Sequence, residues 1–210
     1  MKRNIFLAFL AVLIVLVSSF IANATPITFT HEGSGSGVLD KTSFSLSAFM
    51  ITATGDTDDI IKFTTGGGST VFYIEHLTTS IQINNLGIFD FITPTRTWVN
   101  NNLSRVGFSL SYTIPAPYDG SDLFQGPYDS GFGSWDMQSS IGPIAGGGSL
   151  LQWDLINVQT TDGVLEFTDQ STSAVFNAVV GGGTVPEPSS MVLVGFGLFG
   201  IAALGRKRIK

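Results

Sequence analysis

The sequence predicts an all-β domain, a single antiparallel β-sandwich of which the jelly roll is one form, and three observations carry that reading. Apolar and polar residues alternate over short segments, the period of a strand with one buried face. Glycine and asparagine clusters interrupt those segments at roughly 8–12-residue spacing, the rhythm of hairpins in a sandwich. Between residues 25 and 180 no stretch sustains the 3.6-residue period of an amphipathic helix.

The elements follow in chain order. Lys2 and Arg3 precede the unbroken apolar run Ile5–Val17, and Ala22-Asn23-Ala24 supplies a cleavage site of small residues. Residues 1–24 therefore read as a signal peptide, whose removal after Ala24 leaves Thr25 as the first residue. The β domain spans 25–180. Its strand candidates are Ile27/Phe29, Phe44/Leu46/Ala48, Phe49/Ile51/Ala53, Ile81/Ile83, Phe89/Phe91, Val106/Phe108/Leu110/Tyr112 and Leu165/Phe167. The parity changes between Ala48 and Phe49, which predicts a bulge or a strand passing from one sheet to another. Gly33–Gly37, Gly66–Gly68, Asn84-Asn85 and Gly146–Gly148 read as turns. Gly181–Thr184 reads as a flexible stalk ahead of a distinct tail, 185–210.

Charge and composition bound the function. Only Lys41, Lys62, Arg96 and Arg105 of the ten basic residues lie in the domain, against fifteen of the sixteen acidic ones, so it carries a formal charge of −11. That field repels nucleic acid and anionic lipid, and it attracts divalent cations or basic surfaces. No cysteine occurs, which removes disulfides, thiolate metal sites and a cysteine nucleophile. Stability must come from an apolar core, for which the domain holds all three Trp, all four Tyr and twelve of seventeen Phe.

Three groups of residues could carry chemistry. Tyr118-Asp119-Gly120-Ser121-Asp122 and Tyr128-Asp129-Ser130-Gly131 form a near repeat inside the long Pro115–Gly148 region, with Trp135-Asp136 and Trp153-Asp154 as further aromatic–carboxylate pairs. A sugar stacks its C–H face on an aromatic ring while carboxylates accept its hydroxyls, so Tyr118, Asp119, Asp122, Tyr128, Asp129 and Trp135 form a candidate glycan-facing set. The competing reading is turn chemistry, with each Asp capping its own turn. Gly55-Asp56-Thr57-Asp58-Asp59 could hold calcium through Asp56, Asp58 and Asp59, although it lacks a full calcium loop and also suits an acidic β-turn. His31-Glu32 and Glu75-His76 hold the two histidines; adjacent strand residues face opposite ways, so neither doublet is an acid–base pair, and strand-edge or surface positions suit both. No catalytic motif is present, so a non-enzymatic protein is the expectation, with a secreted carbohydrate-active enzyme using two unassigned carboxylates as the alternative.

The tail has three parts. Pro186 and Pro188 keep Val185–Ser189 extended and accessible. Met191–Leu204 follows with fourteen residues that are all apolar or Gly, and the end 205–210 carries four basic residues. As a helix the apolar run reaches roughly 21 Å, short of a ~30 Å bilayer core, which suits transient retention with the basic end cytoplasmic. The Pro-Glu-Pro triplet, apolar run and basic end resemble the PEP-CTERM sorting signal of exported bacterial proteins, a tail also catalogued as the C-terminal segment of ice-binding proteins. The resemblance implies recognition of Val185, Pro186, Glu187 and Pro188 by a membrane exosortase, anchoring through the helix before cleavage, and delivery to the cell surface or extracellular matrix. It also implies an exopolysaccharide environment. The stretch Gly35–Asp56, together with Thr93–Asn101, looks like β-rich domains that recur before this signal, which have no assigned activity. A structural or adhesive matrix protein, with glycan as its candidate ligand, is the resulting expectation, with a calcium-stabilised surface module as another alternative.

Overall fold

The computed structural model describes residues 25–111, 122–154, 157–169 and 171–181. The expected signal peptide with Ala22 and Ala24, the loop residues Tyr118 and Asp119, the stalk beyond Gly181 and all of 185–210 lie outside the described residues.

Alternation becomes strands, and every pairing among them is antiparallel. The first half of the domain contains β1 (Pro26–Leu39), β2 (Thr42–Asp56), β3 (Ile61–Thr64), β4 (Thr70–Glu75), β5 (Thr78–Ile83), β6 (Gly87–Asp90) and β7 (Thr95–Asn100). The second half contains β8 (Arg105–Leu110), β9 (Asp122–Tyr128), β10 (Ile141–Leu150), β11 (Val158–Thr160), β12 (Gly163–Phe167) and β13 (Ser171–Val180). One ladder runs β3-β4-β7-β8-β9-β10-β13-β1-β2-β5-β6.

That ladder curls until its halves face each other. Phe49 of β2 and Phe124 of β9 have ring centroids 5.6 Å apart although three strands lie between theirs in the ladder. The expected sandwich is thus built by one sheet rather than two. β1 makes this possible by changing partners along its length: Ile27–Glu32 pair with β13, whereas Gly37–Leu39 pair with β12. β11 continues from β12, and the bridge Phe91↔Thr160 joins it to the exit of β6. The far half of β1 therefore closes a ring with β2, β5, β6, β11 and β12. Closure leaves fewer unpaired strand edges.

Two apolar clusters fill the interior. Phe44, Phe49, Ile81, Phe108, Phe124 and Phe167 belong to the larger one, and Ile27, Phe29, Val99, Phe132, Trp135 and Phe176 to the second. The expected alternations of β1, β5, β8 and β12 are buried as read, through Ile27/Phe29, Ile81/Ile83, Val106/Phe108/Leu110 and Leu165/Phe167.

Two local readings change. Phe44, Leu46 and Ala48 do not share the core face: Leu46 is 81 % exposed and Ala48 is exposed, while Phe44 is buried. The parity change lies earlier than Ala48–Phe49, where Gly35 pairs with Ser47 but Gly37 pairs with Phe44. The bulge turns Leu46 outward at φ +46°, and its amide donates to Ser36 Oγ at 3.0 Å. Gly33–Gly37 and Gly146–Gly148 are strand interior rather than turns, whereas Gly66–Gly68 and Asn84-Asn85 do turn the chain. Glycine is needed inside β1 because neighbours approach its backbone. A Cβ on Gly37 would sit 2.1 Å from the Glu166 carbonyl oxygen and 2.7 Å from Phe44 Cζ.

Gly37→Ala should therefore destabilise the domain by about 1–3 kcal/mol through overpacking. Gly67→Ala, whose nearest neighbour would be 3.7 Å away, is the control and should change stability by less than about 0.5 kcal/mol. Urea denaturation of the two variants makes the comparison, and equal midpoints would remove the packing argument.

Candidate functional site

The alternation that buries Ile27 and Phe29 continues to residue 31, which is histidine and fully buried. His31 Nε2 lies 3.0 Å from Thr97 Oγ1, and His76 Nε2 lies 2.9 Å from that same oxygen. His76 Nδ1 is 2.9 Å from Thr95 Oγ1, which is 2.8 Å from Thr79 Oγ1. The two histidines, placed by sequence at edges or surfaces, instead meet across the core. Each sits on a strand, or just past one, whose inward parity points to the same spot.

Hydrogen-bond satisfaction assigns the protons, since rings and hydroxyls can each be arranged in more than one way. His31 Nδ1 is buried without a partner among the described residues. A bare acceptor there costs less than an orphan N–H, so the proton belongs on Nε2 and is donated to Thr97. The Thr97 hydroxyl then donates to His76 Nε2, and His76 Nδ1–H donates to Thr95. The donors run one way along the chain of groups.

Phenylalanines enclose this seam. Phe176, Phe108 and Phe124 surround His31 with centroids 4.9, 5.7 and 6.1 Å from its ring. His76 stacks on Phe108 at 5.7 Å and faces Phe29 at 5.8 Å. Burial pushes the His31 imidazole down to about 3. Burial, and then the neighbouring His31, holds His76 well below its usual value. Neighbouring charges point elsewhere: the Glu75 carboxylate accepts from Ser111 Oγ, and Arg96 lies 5.1 Å from the Tyr73 ring. Neither histidine doublet is an acid–base pair.

Folded-state values below the unfolded value of about 6.5 fix the sign of the pH dependence. The unfolded chain takes up protons first as pH falls, so this stability is complete above about 6.5 and is lost below it. Between pH 6.5 and 5, ahead of most carboxylate titration, His31 should account for a loss of about 2 kcal/mol, and His76 adds to it in the same direction. His31→Leu should reduce that slope and change stability at pH 7.5 by no more than about 1 kcal/mol, because it removes an unsatisfied nitrogen and leaves Thr97 bonded to His76. Urea titrations at several pH values decide it; an unchanged slope in the variant would refute the assignment.

The candidate glycan set is dispersed. Asp122 opens β9, and its Oδ1 accepts from Trp98 Nε1 at 3.0 Å and from Ser109 Oγ at 2.5 Å. Tyr128 stands at the other end of β9, about 20 Å away at strand rise, and is 63 % exposed. Asp129 accepts from Gly131 N at 2.7 Å, capping the short 3-10 turn Ser130–Gly133. Trp135 is buried, its Nε1 donating to the Ser139 carbonyl at 2.8 Å and its ring packed 5.6 Å from Phe176. Trp153 is buried too, donating to the Leu123 carbonyl at 2.6 Å. Asp129 and Asp136 thus cap their own turns, and Tyr128 is the described member of the set that shows an open aromatic face.

Asp56, Asp58 and Asp59 lie where β2 passes into the 3-10 turn Thr57–Asp59. Asp56 Oδ1 accepts from Asp58 N at 3.0 Å, and Thr57 N donates to the Thr25 carbonyl at 3.0 Å. Among the described residues no three His, Asp or Glu converge to hold a metal. Asp56→Ala should cost about 1 kcal/mol as a lost cap, with Asp56→Asn near neutral. Thermal melts with calcium or chelator check this; a loss confined to calcium-containing buffer would return the turn to cation binding.

A feature with no local sequence signal is the cleft beside the Ser130–Gly133 turn. It is a shallow, open cleft of about 350 Å³ between β3, β4, the β7–β8 turn and Gly133-Ser134, with Lys62, Asn102, Gly133 and Ser134 exposed. Three segments distant in sequence build it, so neither spacing nor periodicity could announce it.

Comparison with known proteins identifies the tail. Residues 184–208 match the family model of the PEP-CTERM protein-sorting motif. The motif marks an exported chain sorted by exosortase and anchored transiently in the membrane before surface display. No curated protein and no solved structure matches the chain. Among the described residues no helix is long and apolar enough to cross a membrane; the apolar run 191–204 lies outside them.

Proposed function

We propose that this is a non-enzymatic structural or adhesive protein of the cell surface or extracellular matrix, released by cleavage near Val185–Pro188 and holding matrix glycan. The observation that carries the reading is the join between domain and signal. β13 ends at Val180 and the sorting motif begins at 184, so cleavage within the motif leaves every described strand in place. β13 is paired on both sides, with β10 and β1, and Gly181 N donates to the Pro26 carbonyl at 2.7 Å. The two ends of the domain leave from one pole, beside Thr25.

The non-enzymatic part rests on how reactive groups are used. Both imidazoles are neutral and spent on threonine hydroxyls, and Asp56, Asp122 and Asp129 accept structural hydrogen bonds. No metal or cofactor enters this reading. The glycan part rests on the exposed face of Tyr128 and on the polar cleft beside the Ser130–Gly133 turn.

Mass spectrometry of the protein recovered from its host tests the processing. The expected species begins at Thr25 and ends between Val185 and Pro188, whereas an intact Lys210 would refute release. Retention of the recovered protein on the host's own exopolysaccharide tests the glycan part; passage through the column unretained would refute it.

A further inference from the structure

The cleft beside the Ser130–Gly133 turn is rigid by construction. Asn102 Oδ1 accepts from Thr70 N at 2.8 Å, and Asn101 N donates to the Thr70 carbonyl at 3.0 Å, which ties β4 to the β7–β8 turn. Asn101 Nδ2 donates to the Phe132 carbonyl at 2.6 Å and to the Trp135 carbonyl at 2.9 Å, which ties that turn to the third wall. Gly133 packs closely beside that turn, where a Cβ would come within 3.2 Å of Ser104 Oγ.

Within these walls the arrangement is that of a saccharide subsite. Phe72 is half-buried, packed against the second apolar cluster, and also lines the cleft. Thr70, Asn101, Asn102 and Ser134 line the cleft with it, and Asn101 Oδ1, Asn102 Nδ2, Thr70 Oγ1 and Ser134 Oγ make no hydrogen bond among the described residues, so acceptors and donors remain for hydroxyls. An apolar platform ringed by unfilled polar groups is what a sugar ring needs.

Charge narrows the ligand. The domain has fifteen acidic residues, yet none of the residues lining this cleft is acidic. Lys62, one of only four cations in the domain, reaches in with Nζ 5.4 Å from the Phe72 ring centre and makes no ion pair among the described residues. Resting over a ring face, the ammonium is held by a weak and replaceable contact. A carboxylate arriving with a sugar would give it a stronger, charge-assisted partner.

We propose that this cleft binds one uronic-acid residue of an acidic polysaccharide: the sugar's C–H face on Phe72, its hydroxyls on Asn101, Asn102 and Ser134, and its carboxylate on Lys62. The proposal rests on the glycan-holding reading above and locates it. Two substitutions leave the walls standing. Lys62→Met keeps the aliphatic stem and removes the charge. Asn102→Asp keeps the acceptor for Thr70 N and sets a carboxylate where the free amide was.

The test titrates the exported protein with tetragalacturonate and, separately, with the neutral cellotetraose, followed by calorimetry. Tetragalacturonate should bind, and each substitution should lower its affinity at least tenfold with an unchanged urea midpoint. Equal binding of cellotetraose would overturn the uronate assignment. Tetragalacturonate binding untouched by both substitutions would overturn the cleft. If neither oligosaccharide binds while the native polymer still retains the protein, the cleft proposal falls and the glycan-holding reading survives; loss of retention on the native polymer removes both.

Discussion

Thr97 places one hydroxyl between two imidazoles and so ties together the two halves of the curled sheet. His31 stands on β1 and Thr97 on β7, strands with four others between them in the ladder. Their hydrogen bond therefore crosses the core rather than following the sheet. Thr95 and Thr79 repeat the crossing between β7 and β5. Apolar packing alone tolerates sliding of one layer over another, whereas a buried donor without its acceptor costs on the order of 1–3 kcal/mol. The seam thus penalises wrong registers. A one-residue slip of β1 would turn His31 outward and bring Thr30 or Glu32 into a cage of phenylalanines.

The same seam explains why the core has two clusters. His31 touches Phe108 and Phe124 on one side and Phe176 on the other, and His76 lies between Phe108 and Phe29. Phe108 and Phe124 belong to the larger cluster, Phe29 and Phe176 to the second. The second cluster lies at the pole where β13 meets the start of β1, so it anchors the end from which the sorting signal departs. A domain handed to a membrane enzyme through a few residues beyond Val180 needs that end closed, and the pairing of β13 with both β10 and β1 closes it.

Legibility in the sequence followed the range of the interaction. Where one face of a strand is buried and the other is wetter, as in β5 and β12, alternation named the core residues correctly. It failed at Leu46, because a bulge opposite Gly35–Gly37 resets parity and nothing in the local composition tells a bulge from a continued strand. The Gly33–Gly37 run was misread for a related reason. Glycine clusters mark turns when the chain needs freedom, but here they admit Phe44, Phe49 and a neighbouring carbonyl against the backbone. Among candidate site residues, Asp129 and Asp136 kept the turn chemistry their spacing suggested. The aromatic–carboxylate pairs did not assemble, because β9 carries Asp122 and Tyr128 to opposite ends and the core claims Trp135.

By itself the sequence determined what depends on short segments and on summed charge. The sorting signal, the β class, the absence of thiol chemistry and the acidity of the domain all belong there, since each is read within a few neighbouring residues or by counting. Only the tertiary structure decided that one sheet curls into both layers, that two histidines share a threonine, and that Lys62, Phe72 and Asn102 meet at one cleft. Those contacts join residues tens of positions apart, and a pattern with a period of two carries which face a residue takes but not which residue it will face across the core.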